Sequence, residues 1–100
     1  MICTSCQNEV TSASHCANVS RSVLPYGILT LDSTHEQIES TAKILAGCVS
    51  ITERSFPSEY RGYQMGLIKQ AVACAVSDED FIDVAPELEK AIFFALHPRN

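Results

Sequence analysis

Ile38, Ala42, Leu45 and Val49 fall at i, i+4, i+7 and i+11. That spacing places them on one face of a helix, while Glu36, Glu39, Ser40 and Lys43 take the opposite face, so the apolar stripe must be buried against another element. Asp32-Ser33-Thr34 supplies N-cap oxygens just ahead of it, and Ser33 with Glu36 three residues on matches a capping box. A helix is therefore expected to begin there and to end near Gly47, with Glu39 and Lys43 forming an i,i+4 pair.

Pro57 suits the first turn of a second helix running to about Val76. Its stripe is Tyr60, Tyr63, Leu67, Ala71 and Cys74, widened by Ile68, Val72, Ala75 and Val76, which is the pattern of a helix buried on several sides. Gly62, Gly66 and Ala73 form a small surface on its flank, suited to close packing within the chain. Ser77-Asp78 can cap a short helical turn through Val84, and Pro86 can open a final helix ending near His97-Pro98, with Leu88, Ile92 and Leu96 as its stripe. Tyr26 to Leu31, after Pro25, has the composition of one short strand. The expected fold class is mainly α: a small bundle of three to four helices, residues 23–100, carrying a Cys- and Ser-rich N-terminal appendage, residues 1–22.

One hundred residues suit one domain and not two. A composition 46% hydrophobic and 19% charged is too apolar for a disordered chain. The strictly apolar runs Ala71 to Val76 and Ala91 to Leu96 fall well short of the roughly 20 residues that cross a bilayer. The first twenty residues also lack the basic-then-apolar pattern of a secretory signal, so the expected compartment is the cytoplasm.

The N-terminus holds Cys3, Cys6, His15 and Cys16. Cys3 and Cys6 have the C-x2-C spacing that lets two thiolates wrap a tetrahedral ion, and residues 2–10 resemble one knuckle of a zinc ribbon. That resemblance implies a second C-x2-C, which the chain lacks, and Gln7 stands where such knuckles usually carry Gly. His15 and Cys16 complete four candidate zinc ligands, but neighbouring residues of a regular helix point about 100° apart, so both reach one ion only from an irregular turn. Cys3, Cys6 and Cys16 with a distant ligand such as His35, two knuckles from two chains sharing an ion, or no metal are the alternatives. A redox use of Cys3 and Cys6 would need a strand before the motif, and only Met1 and Ile2 precede it. Cys48 and Cys74 lie on or beside apolar helix faces and are expected in the core.

The net charge is -5, and residues 71–100 account for -4 of it through Asp78, Glu79, Asp80, Asp83, Glu87 and Glu89 against Lys90 and Arg99. Such a chain lacks the clustered cations of a nucleic-acid footprint. The acidic run either caps helices and solvates the surface, or steers a basic partner such as the nucleic-acid-binding face of another protein. Phe94 falls between Glu87 and Lys90 on the polar side of its helix, and so packs against a second element or belongs to an interface, including that of a homodimer. No nucleophile elbow, P-loop, dinucleotide fingerprint or H-E-x-x-H occurs, and His97 is expected to meet the last helix carbonyls.

The sequence thus points to a non-enzymatic protein-binding molecule: an inhibitor, antitoxin-like protein or regulatory adaptor. Its candidate contact residues are Asp78, Glu79, Asp80, Asp83, Glu87 and Phe94. A zinc-stabilised self-assembling protein and a thiol-redox protein using Cys3 and Cys6 are the alternatives.

Overall fold

The computed structural model describes residues 24–55 and 64–98. Thr34 starts the first helix, α1 (His35–Ser55). Its Oγ1 accepts from the Gln37 backbone N–H at 3.2 Å, the Gln37 side-chain oxygen accepts from the Thr34 N–H at 3.0 Å, and the Ile38 N–H donates to the Thr34 carbonyl at 3.0 Å. This is a reciprocal capping box of the T-x-x-Q form, one residue later than the expected Ser33 and Glu36 pair. Ser33 is not free for that role, because its Oγ accepts from the Thr30 N–H at 2.9 Å and closes the preceding turn.

At the other end α1 runs eight residues past Gly47, where it was expected to stop. A glycine inside a helix costs about 1 kcal/mol relative to alanine. Beyond it, Cys48, Val49, Ile51 and Thr52 continue the buried face, and burying an aliphatic side chain returns roughly 1.5–3 kcal/mol, so continuation wins.

The second helix, α2 (Gln64–Ala75), buries Leu67, Ile68, Ala71, Val72 and Ala75, while Cys74 is half-buried. Pro57, Tyr60, Gly62 and Tyr63 lie outside the described residues. Gly66 and Ala73 are exposed, and a Cβ added at Gly66 would meet nothing within 4 Å. The small-residue surface on this part of the helix therefore faces solvent rather than a closely packed neighbour.

The expected strand is reduced to a single parallel bridge between Leu29 and Val76. The Leu29 N–H donates to the Ala75 carbonyl at 2.8 Å, and the Ser77 N–H donates to the Leu29 carbonyl at 2.9 Å. Only Leu29 of this segment is fully buried, with Tyr26, Ile28 and Leu31 exposed around it. Gly27 turns the chain there with φ +72°, a conformation that side chains with a Cβ rarely adopt. Among the described residues there is no strand.

The third helix, α3 (Phe81–Leu96), is continuous through Pro86, so the expected division into a short turn and a separate final helix does not hold. Proline has no N–H for the carbonyl four residues earlier, which is that of Ile82. Ile82 is 87% exposed, where water can replace the missing donor. Val84, Ala85, Leu88 and Ile92 form the buried face on either side of the proline, and their packing carries the helix through it.

Two sets of polar contacts fix the order of the bundle. At the base, His35 of α1 approaches Glu87 of α3 at 3.4 Å. At the top, the His97 Nε2–H donates to the Gln64 side-chain oxygen at 2.6 Å, and the Gln64 amide donates to Glu53 at 3.1 Å. The run is therefore up, down, up, with α1 and α3 parallel and packed most extensively against each other. His97 uses its ring to join three helices, while only its backbone N–H serves a helix carbonyl, that of Phe93 at 2.9 Å. The core centres on Leu45, Val49, Leu67, Ile68, Leu88 and Ile92.

Candidate functional site

The metal candidates Cys3, Cys6, His15 and Cys16 lie outside the described residues. Among the described residues no group of three or more His, Cys, Asp or Glu side chains is arranged to hold an ion. His35, the candidate distant ligand, is engaged by carboxylates on both ring nitrogens, Nε2 at 3.1 Å from Glu39 and Nδ1 at 3.4 Å from Glu87. Cys48 is buried. No described helix is long and apolar enough to cross a membrane.

The six residues expected to contact a partner separate into two surfaces. Asp78, Glu79 and Asp83 are exposed at the base of the bundle. Asp80, half-buried among them, is held by the fold itself, because its Oδ2 accepts from the Leu31 N–H at 3.1 Å and ties the Leu29 loop to the start of α3. It precedes the first residue of that helix yet makes no side-chain capping bond.

That tie brings two exposed apolar groups to one end. Leu31 is 61% and Ile28 52% exposed on the loop, and Phe81 is 39% and Ile82 87% exposed on α3. Beside them a depression of about 350 Å³ is lined by Ile28, Ala73, Cys74, Val76 and Ser77, with Asp78 and Glu79 at its edge. An apolar patch rimmed by carboxylates results. Sequence reasoning singled out its acids and missed its apolar residues. With residues up to Val84 placed in a separate short turn, Ile82 was not set against the stripe of the final helix; in the single helix from Phe81, the stripe of Val84, Leu88 and Ile92 leaves Ile82 on the outside.

Glu87 and Phe94 belong instead to an open groove of about 520 Å³ between α1 and α3. Ile38, Ala42, Ala91 and Ala95 supply its apolar wall, and Phe94 is 43% exposed over it. Lys90 Nζ stands 5.9 Å from the centroid of the Phe94 ring, within cation–π reach, and Phe93 meets the same ring edge-on at 6.2 Å between centroids. At one end His35 sits between Glu39 and Glu87. The hydrogen bond His35 makes to the Glu87 carboxylate, followed by the charge of Glu39, raises its pKa above the ordinary 6.5. Lys43 and Lys90 line the groove one turn further along each helix. The groove's polar lining consists of His35, Glu39, Lys43, Glu87 and Lys90. Comparison with protein-family models, with curated proteins and with solved structures finds no match to this chain.

Proposed function

We propose that this protein acts without catalysis by binding another protein, as an inhibitor, an antitoxin-like protein or a regulatory adaptor, and that the base of the bundle makes the contact. The observation that carries the reading is Ile82, 87% exposed and flanked by Phe81 and Asp83, beside Asp78 and Glu79. A large aliphatic side chain presented to water within a carboxylate rim has the form of an interface anchor: apolar contact supplies affinity, and the charge around it selects a basic partner and speeds encounter. A protein surface built to bind nucleic acid has that basic character. The depression beside Ile28 can receive an apolar side chain from the partner.

The test is capture from the source cell with the wild-type chain, with Ile82→Ser, and with Asp78→Asn/Glu79→Gln/Asp83→Asn. Asp80 is left intact because it holds Leu31. The expected result is a partner whose recovery falls with Ile82→Ser and whose on-rate at low salt falls with the charge variant. A partner bound equally by all three chains would place recognition elsewhere and overturn the proposal.

A further inference from the structure

The groove between α1 and α3 is polarised along its length. Glu39 and Glu87, with His35 between them, mark one level where carboxylates predominate, and Lys43 and Lys90 lie one helical turn beyond, so the two ends of one opening carry opposite signs. A uniformly basic partner would meet attraction at one end and repulsion at the other, and so would a uniformly acidic one. A second copy of this chain turned end for end meets attraction at both. A two-fold axis lying in the contact plane and running across the helices brings about that reversal, and in such an isologous contact every pairing occurs twice.

We propose that the occupant of this groove is a second copy of the chain, laid face to face with its helices antiparallel. The carboxylates of each copy then face the lysines of the other, and Phe94 of each is covered by its partner. The apolar floor of Ile38, Ala42 and Ala91 supplies the dry centre, and Phe94 is the aromatic anchor around which binding energy concentrates. The ten lining residues are fewer than the roughly 20–30 per side of a standard interface. The contact is accordingly a small one, centred away from the partner contact at the base.

Sedimentation equilibrium of the full chain tests this. Wild-type protein should approach twice 10.9 kDa as its concentration is raised, and Phe94→Ala should weaken association at least about tenfold. Lys43→Glu/Lys90→Glu and Glu39→Lys/Glu87→Lys each give a groove of one sign and should remain monomeric alone. An equimolar mixture of the two, one of them isotopically labelled, should restore a dimer holding one chain of each kind in a native mass spectrum. All the substituted side chains are exposed, and far-UV circular dichroism with a thermal midpoint verifies that each variant folds. A wild-type chain that stays at 10.9 kDa throughout, charge-reversed chains that self-associate as wild type does, or folded variants that fail to pair when mixed would each overturn the proposal.

Discussion

Thr41 and Thr52 lie eleven residues apart on α1, three turns along one face, and both are completely buried. They differ in what their hydroxyls meet. The Thr52 Oγ1–H donates to the Cys48 carbonyl at 2.8 Å, whereas the Thr41 Oγ1 finds no hydrogen-bond partner among the described residues. A buried polar group left unpaired costs about 1–3 kcal/mol, and a made hydrogen bond contributes about 0.5–1.5 kcal/mol net. Replacing threonine by valine exchanges a hydroxyl for a methyl of similar size, keeps the β-branch and leaves helix propensity nearly unchanged. Thr41→Val should therefore stabilise the fold by about 1–2 kcal/mol, while Thr52→Val should destabilise it by roughly 0.5–1.5 kcal/mol.

The two variants should then be separated by about 2 kcal/mol, which for a chain of this size is a difference in thermal midpoint on the order of 10 °C. Urea unfolding followed by circular dichroism reads the same quantity as a shift in midpoint at constant slope. Because both substitutions occur on one helix face at equal burial, propensity and transfer terms cancel between them. Finding Thr41→Val less stable than wild type, or the two variants equal, would refute the assignment of Thr41 as an unpaired buried hydroxyl.

Removing the α1 cap should cost about 1 kcal/mol in Thr34→Ala, with Gln37→Ala also destabilising, whereas Glu36→Ala should fall within about 0.5 kcal/mol of wild type in the same urea assay. His35 should titrate above its ordinary value in an NMR pH series, and Glu87→Gln should bring it back down, since the Glu87 bond is the largest cause of the rise. A raised folded pKa means that the contribution of His35 is fully present below its unfolded pKa of 6.5 and is lost as pH rises through the folded value. At the N-terminus, a native mass spectrum should show one zinc per chain, or half of one where two chains share the ion, and Cys3→Ser/Cys6→Ser should abolish it. Metal-free wild-type protein purified without chelator would contradict the assignment of Cys3, Cys6, His15 and Cys16.

The sequence made the helices legible where burial is one-sided and periodic. Ile38, Ala42, Leu45 and Val49 are buried as their spacing requires, and so are Leu67, Ala71, Leu88 and Ile92. It misled where local punctuation competed with packing. Gly47 and Pro86 are both ordinary stop or start signals, and both lie inside helices because the apolar face continues past them. The strand of Tyr26 to Leu31 failed for the opposite reason. Its composition favours extended chain, but among the described residues only Leu29 makes a β-bridge, and a single bridge cannot bury the alternate side chains. Phe94 was visible as an outlier from its wheel position alone. The groove around it was not, because the parallel arrangement that sets Glu87 beside His35 is a tertiary fact, fixed by contacts between residues 52 positions apart.

The two proposed contacts both draw on α3, and its geometry keeps them separate. Ile82 and Phe94 are twelve residues apart, which is about 18 Å of rise and a rotation of about 120° around the axis. Ile82 therefore points away from the groove that Phe94 overlooks, and neither lies within the 7–10 Å over which substitutions couple strongly. A second copy seated on the α1 and α3 groove leaves Ile82, Asp78 and Glu79 uncovered, while its Phe94 reaches the level of Asp83. Turning that copy end for end sets its own acidic end at the opposite pole of the pair. A dimer of this form presents two partner sites facing in opposite directions, and a partner with two basic sites gains avidity only where its own spacing can span them. Ile82→Ser and Phe94→Ala consequently address different events: the first removes the foreign partner and leaves the pair, and the second dissolves the pair while each chain retains its acidic end.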